Sequence, residues 1–208
     1  MPDPIPTPPA SDLLHLSDSV WLWQMYDPAV KSDLFSTAIK TDGRLFLIDP
    51  IPLAPHCLEE LAVPIGATSV LVTNVNHPRA AAAFARQFEA PIFAAASVVG
   101  EFSAADVTTI ADGEKIGSRA SAIAIDGAAT GETAFHFPDD GGTMVIGDAL
   151  INLEPYGFTL LPAKYCSDQK AMRRSLRRLL EWPFERLLFA HGTPILAAAR
   201  EQLETLLR

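Results

Sequence analysis

The chain has 208 residues, 49% of them apolar and 20% charged, which is enough apolar side chain for one full-sized core and too much for a disordered or fibrous sequence. Sixteen Lys and Arg against 25 Asp and Glu leave a net charge of -9, the wrong sign for a surface that must neutralise phosphates, so no nucleic-acid partner is expected. No apolar run approaches the roughly 20 residues of a membrane span, so no membrane partner is expected and the cytoplasm is the default address.

Pro2, Pro4, Pro6, Pro8 and Pro9 make residues 1–12 an extended, solvated arm without a secretion-signal pattern, and 13–208 is expected to fold as one mixed α/β domain. Val20 to Tyr26 predicts a strand, and two apolar runs from Phe35 to Ile48 flank Asp42-Gly43, a dipeptide suited to a tight hairpin because both central positions favour positive φ. Pro50 and Pro52 stop the second run just after Asp49. Pro55 to Ala62 predicts a short helix and Ser69 to Thr73 a buried strand. Ala81, Phe84, Ala85 and Phe88 then recur at i, i+3, i+4 and i+7, one apolar helical stripe. Between that strand and helix runs a very polar loop, Asn74-Val75-Asn76-His77-Pro78-Arg79.

Short strands follow at Pro91 to Ala95, Lys115 to Gly117, Ala120 to Ile125, Thr133 to Phe137 and Met144 to Ile146, and Asn152 to Ser167 reads as a looser stretch. Asp168 to Trp182 is a helix with Met172, Leu176, Leu179 and Leu180 on its buried side and Arg173, Arg174, Arg177 and Arg178 on a solvated face. A last strand covers Arg186 to Ala190, and Thr193-Pro194 reads as an N-cap and first-turn proline opening a terminal helix. Cys57 and Cys166 stand in no metal-ligand spacing and read as buried free thiols.

The segments Ser36 to Asp49, Val70 to Arg79, Gly127 to Phe137, Val145 to Leu150 and Phe189 to Gly192, in that order, resemble the metallo-β-lactamase superfamily over nearly the whole chain. The resemblance implies a four-layer αββα sandwich with mixed sheets and outer helices, and an active site at one edge where two metal ions commonly hydrolyse ester-like, amide or phosphodiester bonds. Its first motif, Thr-His-x-His-x-Asp-His, is matched by Thr73 but carries Asn74, Asn76, Pro78 and Arg79 at the ligand positions. Its third motif has Ala128 where a ligand histidine belongs. Asp148 and His191 match the bridging acid and the last histidine, and Asp49 matches a supporting acid.

The resemblance therefore implies the fold with a degenerate metal site and no cofactor, whose vacated pocket binds a small molecule or a protein. Its candidate residues are Asp148 and His191, with Asn74, Asn76, His77, Arg79, Asp49, Tyr156 and Lys164 around them; Tyr165 is a further candidate and Glu132 is read as structural. Arg79 is weighed as a cation paired with Asp148 in place of the metal, or as a solvent-facing helix residue. His77 is read as an exposed loop residue. The alternative is a hydrolase with one weakly held divalent ion on Asp148, His191 and, if it turns inward, His77. A metal-free general base, His191 oriented by Asp148, is a third reading. A homodimer follows only from the general prior for soluble proteins.

Overall fold

Every second residue of the central strands belongs to a different core, and that alternation dictates the layering. In the computed structural model, which describes residues 8–102 and 107–208, the long strands form two sheets, each buried on both faces. The first is seven-stranded in the order β1 (Leu14–Ser17), β2 (Val20–Asp27), β3 (Ser32–Thr41), β4 (Arg44–Ile48), β5 (Thr68–Leu71), β6 (Ile92–Ala95) and β7 (Val107–Ile110). The second runs β14 (Arg186–Phe189), β11 (Thr143–Ile146), β10 (Thr133–Phe137), β9 (Ala120–Ala124) and β8 (Lys115–Ile116).

On β4, Leu45 and Leu47 face an outer core completed by α1 (Pro55–Leu61) and α2 (Ala81–Phe88), while Phe46 and Ile48 face the space between the sheets. On β11 and β14, Met144, Ile146, Leu187 and Phe189 face α3 (Gln169–Arg178) and α4 (Ala199–Leu207), while Val145 and Leu188 face inward. Phe46 and Phe137 meet edge to face across the middle at 5.3 Å. The four-layer αββα sandwich follows from this packing. No helix among the described residues is long and apolar enough to cross a membrane.

The Asp42-Gly43 turn has φ of 52° and 72°, as its hairpin requires. Three expectations need correction. The stretch read as loose contains a ribbon, β12 (Leu150–Leu153) paired antiparallel with β13 (Gly157–Leu160). The terminal helix starts at Ala199, because Ile195 exchanges two backbone hydrogen bonds with Leu187 and Thr193 donates to the Asn152 carbonyl instead of capping a helix. The long helix ends at Arg178 and tightens into a 3-10 turn over Leu179–Glu181. Of the N-terminal arm, residues 1–7 lie outside the described residues; Ala10 is buried and bonded to Pro52 and Ala54.

Parallel pairing of β4 with β5 and of β11 with β14 brings the carboxyl ends of strands from both sheets to one edge. Open α/β sheets place their sites outside such ends. The two sheets are stitched there by Phe35 N–H to the Ala190 carbonyl (3.0 Å) and Thr133 N–H to the Thr73 carbonyl (2.8 Å).

Candidate functional site

Asp49 ends β4 with φ of 47° and is 2% exposed. A buried carboxylate must be fully partnered, and the loop after β5 supplies the partners. Thr73 donates its backbone N–H to Oδ1 (2.8 Å) and its hydroxyl to Oδ2 (2.6 Å). His77 Nδ1 lies 3.0 Å from the same Oδ2. Since the Thr73 hydrogen is already committed to the carboxylate, Nδ1 carries its own hydrogen and donates it to Asp49.

That bond turns the opposite face of the ring, Nε2, toward Asp148 Oδ1 at 3.2 Å. His77 is thus 2% exposed, and the expectation of an exposed loop histidine is overturned. The inward bend is local: Asn76 N–H bonds back to the Asn74 side-chain oxygen (2.8 Å), an Asx turn, and Arg79 takes φ of 40°.

Asp148 follows Gly147 at the end of β11. A Cβ at position 147 would come within 2.5 Å of Thr73 Oγ1 and 2.7 Å of Asn74 Nδ2, so only glycine lets the two loops close on each other. Asp148 Oδ1 also faces His191 Nε2 at 3.4 Å, and Oδ2 accepts from Asn76 (2.9 Å) and Asn74 (3.2 Å). His191 Nδ1 is 3.2 Å from the Asp33 carbonyl, which can only accept, so that nitrogen is the donor. A neutral His191 then turns an Nε2 lone pair toward a carboxylate. Such an arrangement calls for a positive charge between them, a proton or a metal ion.

The electrostatics agree. Burial and the nearby Arg79 oppose a charged His77, yet the charge of Asp49 and hydrogen bonds to Asp148 and Asp49 win, and its pKa is raised to about 9. Burial also opposes ionised Asp148, but when a proton sits on Nε2 of His191 and of His77, the hydrogen bonds they donate hold it far below the usual carboxylate range. Behind them, Glu132 takes the other Asn74 amide hydrogen (2.6 Å) and the Ala149 N–H (3.1 Å). Burial and the adjacent Asp148 push its pKa up to about 8.

Arg79 does not pair with Asp148, nor does it lie on a solvated helix face. Its guanidinium donates to the carbonyls of Phe35 (2.6 Å), Asp49 (3.1 Å) and Ala190 (3.4 Å), stapling β3, β4 and β14 together at the site's edge. The cation that reaches Asp148 is His77.

These groups floor a cleft of about 810 Å³, lined also by Asp27, Val30, Leu34, Ile151, Leu153 and Tyr165. Asn76, His77, Arg79, Asp148 and His191 line it, whereas Asp49 and Asn74 lie buried beneath. Tyr156 is 78% exposed at the tip of the β12–β13 ribbon and is not part of the lining. Lys164 is not in the lining either; its ammonium lies 4.6 Å from the centre of the Tyr165 ring, which is.

The residues do not fit a pair of ions. Asn74 turns its amide nitrogen to the acids, with its oxygen bonded to Asn76 N–H; Ala128 and Pro78 offer no side-chain donor; Arg79 is a cation. They do fit one. Candidate donors on His77, Asp148 and His191 all lie within 4.8 Å of one another. The 3.2 and 3.4 Å separations match the ~3.3 Å edge of a tetrahedron with bonds of about 2.0–2.1 Å.

The chain belongs to the metallo-β-lactamase superfamily, whose profile matches residues 13–208. Its fold is similar to that of DIM-1 metallo-β-lactamase exposed to ceftazidime, with a TM-score of 0.73, 12% identity and 98% of each chain covered. A metallo-β-lactamase from Erythrobacter litoralis gives 0.70 at 16% identity, over 94% of this chain and 95% of that one. A metallo-β-lactamase family protein from Thermus thermophilus gives 0.65 at 18% identity, over 92% and 79%. No curated protein matches the chain by sequence.

Proposed function

We propose that this chain is a reduced member of its superfamily, one that has shed the dinuclear ligand set and keeps a one-ion site on His77, Asp148 and His191 at the floor of a small-molecule cleft. The observation that carries the reading is the convergence of two imidazole Nε2 atoms on one oxygen of Asp148, at 3.2 and 3.4 Å. Each ring's other nitrogen is occupied, by Asp49 for His77 and by the Asp33 carbonyl for His191. Such outer partners fix the tautomer in which Nε2 is free to ligate. When bound, a divalent ion in an open three-ligand site acidifies water and polarises a carbonyl, the chemistry of ester-like hydrolysis. The chain's own part is to orient both rings, to hold Asp148 ionised, and to wall the floor with apolar side chains.

A second reading has its own support: with its pKa raised to about 9, His77 as an imidazolium already compensates Asp148, so the cleft serves as a metal-free binding site. Zinc titration of chelator-stripped protein by calorimetry, with metal content measured after gel filtration, separates the two. One zinc per chain, lost in both His77→Ala and His191→Ala, is the expected result. Folded protein that takes up no zinc would leave the metal-free reading. Zinc uptake indifferent to His77 would overturn the ligand set.

A further inference from the structure

The walls and floor of the cleft together specify a ligand. The β12–β13 ribbon carries large apolar side chains on both faces. Leu150 packs into the core under α3 and α4, with its cross-strand partner Leu160 and with Phe158 against the same core. Ile151 and Leu153, two residues apart and so on the opposite face, line the cleft. Both are half-buried, so part of that face is left open to the cleft. Val30 from the β2–β3 turn, Leu34 from the start of β3, and Leu161 and Tyr165 from the segment after β13 continue it.

Among the described residues, the floor offers no free cation. Arg79 spends its guanidinium on three backbone carbonyls, and His77 is held between Asp49 and Asp148. Asp148 and Asp27 put two acids in the lining against one permanent cation, Arg79, whose hydrogens are already spent on carbonyls. An anion would meet no surplus positive charge.

What the floor does offer is Asn76. Its Nδ2 must face Asp148, which fixes the amide's orientation and commits one of its hydrogens at 2.9 Å. Among the described residues, the second hydrogen and the side-chain oxygen have no partner, and the residue is exposed at the cleft floor. A neutral carboxamide at the base of an apolar cleft matches an uncharged carbonyl group. The cleft volume of about 810 Å³ suits a small molecule.

We infer that the cleft binds an uncharged, largely aliphatic small molecule carrying an amide or ester, its carbonyl oxygen accepting from Asn76 Nδ2 and its chain lying on Ile151 and Leu153. The inference rests on the proposed small-molecule role of this cleft but not on the ion, so the test removes the ion. Chelator-treated full-length protein is titrated calorimetrically with three probes of equal chain length: octanamide, octanoate and octylamine. Octanamide is expected to bind about tenfold or more tighter than octanoate, because burying an unpaired charge is costly. Ile151→Ser with Leu153→Ser should weaken all the probes by about tenfold through lost apolar contact. Asn76→Ala should weaken octanamide alone. Octanoate or octylamine binding as tightly as octanamide, an octanamide affinity unchanged in the Asn76 or the double variant, or no binding of any probe would each overturn the inference. Octanamide binding in protein that takes up no zinc would sustain it while the one-ion reading fails; zinc uptake without octanamide binding would do the reverse.

Discussion

Asp49 and Asp148 occupy equivalent places, each the first acid past a strand whose carboxyl end points at the site, and His77 bonds to both. Their surroundings differ. Asp49 is sealed under the loop, with its oxygens taken by Thr73 and His77 and the Arg79 guanidinium nearby. Asp148 lines the cleft and faces groups whose hydrogens or lone pairs can be exchanged for a ligand, His77, His191 and Asn76. In the proposed one-ion site, the contrast makes Asp49 the scaffold acid and Asp148 the working acid. The first makes a loop bend that buries a histidine; the second makes that histidine useful.

The largest effect expected from breaking this pairing is on stability. Asp49→Ala leaves the Thr73 N–H, the His77 ring and the buried Arg79 cation without their carboxylate. Removing one partner of a buried ion pair costs about 3–5 kcal/mol, read as a lower urea midpoint. Next comes pH. A group whose pKa is raised on folding holds its proton more tightly when folded, so its stabilisation is complete below the unfolded value and is lost as pH rises through the folded one. For His77 that window runs from 6.5 to about 9, and for Glu132 from 4.5 to about 8. Metal-free protein should therefore lose up to about 4 kcal/mol on the alkaline side of neutrality. His77→Gln should flatten the upper part of that profile. Saturating zinc should flatten it too, since the ion displaces the proton from Nε2.

Smaller again is Gly147→Ala. Its Cβ would meet Thr73 Oγ1, Asn74 Nδ2 and Glu132 Oε1 between 2.5 and 2.9 Å. Overpacking of this kind costs about 1–3 kcal/mol. Because the pressure falls on the Asp148 side of the site, zinc uptake should suffer before the fold does. Equal loss of zinc uptake in Gly43→Ala, at a hairpin position with nothing within 4 Å, would deny that specificity.

The legibility of the sequence follows the same division. Strands with both faces buried, such as Leu45 to Ile48, announce themselves as apolar runs, and the order of motifs is enough to place Asp49, Asp148 and His191 at one edge. The β12–β13 ribbon is hidden because each strand has only four residues, most of them half-buried, too short a run for a period to stand out. Thr193-Pro194 looks like a helix start, and only the distant partner strand residue Leu187 reveals that Ile195 is held in an extended bridge. His77 escapes the sequence because its direction depends on the Asx turn at Asn74 and the positive φ of Arg79, neither visible in a motif where it is a spacer. One signal is present: an acid at position 49, buried at a strand end, needs a donor within reach.

Asp148→Asn should destabilise metal-free protein less than Asp49→Ala does. The asparagine oxygen can still accept from Asn76 or His77, and loss of the charge relieves Glu132, whose pKa Asp148 helps to raise. His77 keeps Asp49 as its anchor, though with one carboxylate fewer it holds its second proton less tightly. These opposed changes leave a net loss of about 1.5–3 kcal/mol, the range of a hydrogen bond to a charged group. Zinc uptake, by contrast, should vanish, because a neutral carboxamide is a poor substitute for the carboxylate on which both imidazoles converge. Asp49→Ala and Asp148→Asn would then fail in different ways, one in folding and one in binding. If the Asp148 variant instead unfolds as readily as the Asp49 variant, the two acids form a single structural unit and the working role assigned to Asp148 is lost.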